Sequence, residues 1–207
     1  MGQYYKPFLI DKNGKMSAYN TYLDGQYIMA KLYEQSWWLN PFVNTICHKI
    51  FRKPMKVAWV GDYSNYGEKY DDGKGFPYYE KVYGDRNKNG RGSIAKSNLT
   101  ESQVTLDGKY LVNYDKKEYL DCDEYYENSV NENDRCMHPL PLLTCVGNGR
   151  GGGDFHCKDK KIMKLVGSWC LDTISIEPAY EAPHRFNKRP MEGFKKISPV
   201  FQCEDED

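Results

Sequence analysis

The chain has 207 residues, with 29 Lys plus Arg against 29 Asp plus Glu and a formal net charge of zero. That length makes one domain, with room for a large insertion, and buries a core without covalent staples. The charge balance speaks against a protein that grips nucleic acid mainly through phosphates, which needs a basic excess, but leaves room for one local basic pocket.

Eighteen tyrosines and four tryptophans suit a pleated, half-buried sheet surface; the sharper alternative is a set of rigid amphipathic anchors for a partner or a planar ligand. Seven scattered cysteines make an odd number. The start, Gly2-Gln3-Tyr4-Tyr5-Lys6-Pro7, lacks the apolar stretch of a secretory signal, and Lys6 departs from the myristoylation pattern. No run has the apolar length needed to cross a bilayer. A reduced, cytoplasmic protein without a membrane partner is expected.

In chain order, Tyr4–Ile10 and Met16–Tyr22 read as strands joined by the Asn13-Gly14 turn. Tyr27–Tyr33 reads as another strand. Asn40-Pro41 is a helix start, and Phe42, Val43, Ile46, Ile50 and Phe51 give an apolar face over Pro41–Arg52, stopped by Pro54. Met55–Val60 is a strand. Residues 63–102 are rich in Tyr, Gly and Asn and read as a long irregular insertion, which in a compact domain is either functional or hides pairing. Val104–Leu106, Tyr110–Tyr114 and Lys117–Leu120 read as strands, and Asp121–Asp134 as an acidic, solvated segment. Leu140–Val146, Ile162–Trp169 and Thr173–Ile176 are expected as adjacent antiparallel strands, with a last strand at Lys196–Gln202. The fold class is therefore α+β: a mainly antiparallel sheet, one principal helix and one single domain spanning 1–207.

Between two of these expected strands lies Gly147-Asn148-Gly149-Arg150-Gly151-Gly152-Gly153-Asp154. Glycine costs backbone entropy and buries nothing, so such a run suits positive φ or close approach to a bound group. Amides turned inward beside Arg150 would favour an anion; the bland alternative is a flexible connection. Gly147-x-Gly149-x-x-Gly152 matches the dinucleotide fingerprint only formally, because no helix is expected to open there. The phosphate-loop match fails at Gly153-Asp154, where Lys-Ser/Thr is required.

Other patterns are weaker. Asp85-Arg86-Asn87-Lys88-Asn89-Gly90 opens like a calcium loop, but its twelfth position is Lys96 instead of Glu. Cys136, His138, Cys145, His156 and Cys157 flank the glycine run without zinc-site spacing. His156 and Cys157 would point to opposite faces of a strand, so they make no nucleophile–base pair. Asp154 and Asp172 are an acid–base pair only if the fold joins them. Nothing in the pattern demands catalysis, a cofactor or a metal.

Three groups of residues carry a resemblance: Met1-Gly2-Gln3-Tyr4-Tyr5-Lys6-Pro7; Asn40-Pro41-Phe42-Val43 followed by Val57-Ala58-Trp59-Val60-Gly61-Asp62-Tyr63; and Leu140-Pro141-Leu142-Leu143-Thr144 before the glycine run, with Val166-Gly167-Ser168-Trp169 after it. Together they resemble a family of small uncharacterised bacteriophage and prophage proteins, while Ser64–Ser102 departs from it as an insertion. The resemblance implies a phage accessory protein acting inside the bacterial host, of the kind that counters host defences.

The resulting expectation is non-enzymatic binding of a small phosphate-bearing ligand, a nucleotide or nucleotide immune signal. Gly147, Asn148, Gly149, Arg150, Gly151, Gly152, Gly153 and Asp154 would hold it, with Trp169 or Trp38 stacking on the base. A protein-binding inhibitor of a host defence protein acting through 63–134, and a nucleotide-processing enzyme using Asp154, His156 and Asp172, stand as alternatives. Self-association is left open.

Overall fold

A computed structural model describes residues 2–23, 26–27, 31–66, 75–84, 97–99, 105–131, 135–149, 151–180 and 191–201. Within them the chain is α+β, with a mostly antiparallel sheet. Its elements in order are β1 (Tyr5–Ile10), β2 (Met16–Leu23), β3 (Gln26–Tyr27), α1 (Leu32–Gln35), α2 (Pro41–Ile50), β4 (Met55–Gly61), a 3-10 turn at Ser64–Tyr66, α3 (Tyr79–Tyr83) and β5 (Ser97–Leu99). There follow β6 (Lys109–Asn113), β7 (Glu118–Asp121), α4 (Cys122–Ser129), α5 (Pro139–Thr144), β8 (Cys145–Val146), α6 (Lys160–Leu165), β9 (Thr173–Pro178) and β10 (Lys195–Ile197).

The strand order is β10-β7-β6-β9-β4-β1-β2-β3, with β5 on β2 and β8 on β4. β1 and β4 form the centre, antiparallel from Tyr5↔Gly61 to Ile10↔Lys56. Their side chains alternate between two cores, as the two-residue period of a strand requires. Tyr5, Leu9, Val57 and Trp59 enter the larger core, together with α2 and α5. Phe8, Ile10, Ala58 and Val60 face a second one, closed by Phe76, Tyr79 and Val82. The described part of the 63–102 insertion thus covers one face of the central strands. The Asp85–Gly90 and Lys96 calcium-loop pattern lies outside the described residues.

The principal helix starts where Asn40 Oδ1 accepts from the Phe42 and Val43 amides, and Pro41 sits at the first helical position. It ends at Ile50, two residues before the expected Arg52.

Several expected elements are corrected. The expected strand at Tyr27–Tyr33 is overlapped by helix at Leu32–Gln35, and among the described residues of that stretch Tyr27 alone is in a strand, Gln26–Tyr27. Leu106 lies in a turn before β6, outside any strand. Cys122–Ser129 is a helix capped by Asp121, whose side chain accepts from the Asp123 and Glu124 amides, with two acids in its first turn. Of the expected strand at Leu140–Val146 only Cys145–Val146 is one, and it pairs parallel to β4. The rest is α5, completely buried, with prolines only in its first turn, where their missing N–H groups have no helical partner to lose. Lys160–Leu165 is helix, capped by Asp159. The glycine run therefore connects a short parallel strand to a helix-bearing segment.

Candidate functional site

Pairing of Trp59 with Cys145 and Val60 with Val146 brings Gly147 out beside Gly61, the last residue of β4. Gly147 turns there with φ of 104°, a conformation closed to most side chains. The base of the loop is closed by one carboxamide: Phe155 N donates to Asn148 Oδ1, and Asn148 Nδ2 donates to the Phe155 carbonyl, both at 2.9 Å.

Two loop amides converge on one oxygen. Gly149 N and Gly151 N donate to Asp154 Oδ2 at 2.8 and 3.0 Å. The other carboxylate oxygen, Oδ1, accepts from Tyr5 OH at 2.7 Å. Burial, followed by nearby Cys145 and Asp154, pushes the Tyr5 phenol well above its ordinary pKa, so it stays a donor. Two amides of the run thus turn inward to one point, and the group seated there is the chain's own carboxylate. Further along, the Gly152 carbonyl accepts from Gln3 N at 3.0 Å and the Gly153 carbonyl from Tyr33 N at 2.8 Å. Arg150 lies outside the described residues.

The glycines also make room. A Cβ on Gly61 or on Gly147 would overlap Gln3 Nε2, and one on Gly151 would stand 2.7 Å from Gln3 Cβ. Gln3 is fully buried in this niche, yet neither its Nε2 nor its Oε1 has a hydrogen-bond partner. Ser64, equally buried and 3.3 Å through its Cβ from where a Gly147 Cβ would lie, has an unpartnered Oγ, and so does Asn65 at Oδ1. Sequence reasoning missed all three, because Gln3 meets the glycine run only through the β1–β4–β8 register.

The two indoles expected to stack on a base are placed in the main core. Trp169 has no exposed surface and donates through Nε1 to Glu118 Oε2 at 2.9 Å. Trp38 packs against Tyr125, Tyr126 and His138, with ring centroids 5.2 to 6.0 Å apart. Neither presents a ring face at the loop.

No family model, curated protein or solved structure matches this chain. The geometry therefore carries the functional argument alone.

Asp154, His156 and Asp172 are not brought together. The Asp172 carbonyl accepts from Val57 N, while Asp154 is held by the hydroxyl of Tyr5, the partner of Gly61; four strand steps along β4 separate Val57 from Gly61, about 13 Å at strand rise. His156 is exposed. Asp172 Oδ2 accepts from Asn113 Nδ2 at 2.8 Å and pairs with Lys116 at 3.3 Å.

A buried Cys–His contact does occur: Cys47 Sγ and His138 Nε2 are 3.4 Å apart. It is not a nucleophile and its base. Leu140 N donates to His138 Nδ1 at 3.1 Å, which leaves the neutral ring's proton on Nε2, facing the sulfur. Burial holds the imidazole down at about 3 and pushes the Cys47 thiol far above its usual range, so neither carries charge near neutral pH. Burial likewise pushes the Cys136 thiol up to about 12. Among the described residues, no group of three or more His, Cys, Asp or Glu is arranged to hold a metal, and no helix is long and apolar enough to cross a membrane.

Proposed function

We propose that this chain is a non-enzymatic phage accessory protein that captures a small phosphate-bearing ligand, a nucleotide or nucleotide signal of host defence, at the Gly147–Asp154 loop. The observation that carries the reading is the convergence of Gly149 N and Gly151 N on a single anionic oxygen. Two amides aimed at one point form an anion receptor whatever supplies the charge. In the ligand-free chain Asp154 Oδ2 supplies it. A phosphate oxygen takes that position when the Asp154 side chain turns aside and gives up its contacts with the two amides and Tyr5, and Arg150 adds a charge-assisted contact. Separation of Asp154, His156 and Asp172 supports capture over turnover.

The test is equilibrium binding of nucleotides to the full chain, with Arg150→Ala beside it. Loss of binding in the variant, at an almost unchanged melting temperature, supports the reading. Equal affinity of the two chains, or no phosphate-dependent binding by either, overturns it.

A further inference from the structure

We propose that the Gln3 carboxamide and the Ser64 hydroxyl, buried beneath the glycine loop, form a neutral recognition floor for the planar donor–acceptor edge of a nucleobase. This rests on the preceding reading of the loop as a phosphate site and names the second half of its ligand.

Four atoms carry the argument. Gln3 Nε2, Gln3 Oε1, Ser64 Oγ and Asn65 Oδ1 are all inaccessible to solvent and all without a partner. A buried donor or acceptor left unmade carries its full desolvation cost, so such groups are paired in folded chains unless the position is kept for a guest or a water. Gln3 and Ser64 meet in one niche, against Gly61 and Gly147, where a Cβ would overlap the Gln3 amide, and Asn65 follows Ser64 in the chain.

The chemistry of the set selects the guest. None of the four atoms belongs to an ionised group, so a charged guest would be desolvated there without a counter-charge. A carboxamide offers one donor and one acceptor side by side. That pattern pairs bidentately with an adjacent acceptor and donor on a base edge, as Asn and Gln do with adenine. The Ser64 hydroxyl, which donates or accepts, adds a third contact.

Position ties this floor to the phosphate site. The Gln3 backbone amide holds the Gly152 carbonyl, one residue from Gly151, whose own amide faces the anion position. Gly151 therefore touches both, its amide turned to the anion position and its Cα side set against Gln3. A base reaches Gln3 when the Gln3–Gly152 contact opens. Asn148 and Phe155 keep the base of the loop closed meanwhile.

The experiment measures binding of AMP, GMP, CMP, UMP and ribose 5-phosphate to the full chain and to Gln3→Met and Ser64→Ala. Ribose 5-phosphate reads the phosphate site alone. At least one nucleotide should bind about tenfold tighter than ribose 5-phosphate or better. Gln3→Met should erase that margin and leave ribose 5-phosphate affinity unchanged. Ser64→Ala, the milder change for folding, should reduce it severalfold. Equal binding of all five by the natural chain overturns this inference and assigns the orphan atoms to water, leaving the phosphate reading in place. A base margin that survives both substitutions overturns it too. If none of the five binds, the parent reading falls and this one with it.

Discussion

The two ends of β4 handle polar groups in opposite ways. At the Val57 end each carboxylate has a named donor: Asp172 takes Asn113 Nδ2, Asp115 takes Thr173 N, and Glu118 takes Trp169 Nε1. Ionised groups there fasten the β6–β7 turn to the chain entering β9. At the Gly61 end the buried side chains of Gln3 and Ser64 are neutral and unpartnered, and the nearby carboxylates hold main-chain amides, Asp62 that of Tyr4 and Asp154 those of Gly149 and Gly151. Paired charge anchors a fold; an orphaned neutral set under glycine leaves a place for something else. Polarity alone would not have separated the two ends, since both are rich in Asp, Asn and Ser.

Acid gives the largest expected effect that divides them. His138 caps α5, the helix that feeds the loop, and its folded pKa of about 3 lies below the unfolded value near 6.5. Below pH 6.5 the unfolded chain takes up a proton that the folded chain refuses. Stability from this group is therefore complete above that pH and is lost as pH falls towards 3. The slope is about 1.4 kcal/mol per pH unit, or roughly 3 kcal/mol between pH 6.5 and 4. Urea melts across that range should show the slope in the natural chain. His138→Asn, which keeps a capping acceptor, should flatten it. An unchanged slope would assign acid lability to the carboxylates of the other end.

Next in size is Asp154→Ala, which leaves the Gly149 and Gly151 amides and the buried Tyr5 hydroxyl without their acceptor. A cost of about 2 to 3 kcal/mol follows from losing hydrogen bonds to a charged group. Added inorganic phosphate should restore part of the lost stability by occupying the vacated amides. A variant as stable as the natural chain would mean that the convergence contributes nothing.

Gly61→Ala isolates the niche itself. Its Cβ would strike Gln3 Nε2, and the Val146 carbonyl 3.0 Å away is backbone and cannot yield. Overpacking of this kind costs about 1 to 3 kcal/mol. In a Gln3→Ala background the cost should shrink, a coupling that a double-mutant cycle reads directly. Independent, additive effects would show that Gly61 serves something other than Gln3.

The same contrast explains what was legible in the sequence. The central strands and α2 follow local rules: alternation across Tyr5–Ile10 and Met55–Gly61, and the Asn40-Pro41 start. Around the loop the signals were ambiguous or non-local. Leu140–Leu143 is apolar on every side because α5 is buried all round, and periodicity cannot tell such a helix from a buried strand. The caps of α4 and α6, Asp121 and Asp159, stood in the sequence, but the acidic run after Asp121 resembled a solvated segment and the apolar residues from Ile162 onward resembled a strand. Gly147 at positive φ agrees with what a glycine run suggests, whereas Asp154 as its anion depends on three-dimensional closure. Gln3 was illegible altogether: its niche exists only once β8 joins β4 in parallel and β1 pairs Tyr5 with Gly61.

The smallest effect belongs to the anchored end. Lys116 reaches both the Ser168 carbonyl and Asp172, yet its side chain is 40% exposed and that of Asp172 is 21% exposed. Water screens the pair, and its net worth lies within the range of surface ion pairs, about 0 to 1 kcal/mol. Lys116→Met keeps the aliphatic stem and leaves Asp172 bonded to Asn113, which is fully buried and holds the turn through its other atom, Oδ1, accepting from Lys116 N. Its midpoint in urea should shift by no more than about 0.5 kcal/mol of stability, with the m-value unchanged. A loss several times larger would make Lys116 the keystone of that end, and the anchoring assigned to the Asn113–Asp172 contact would then belong to the ammonium group instead.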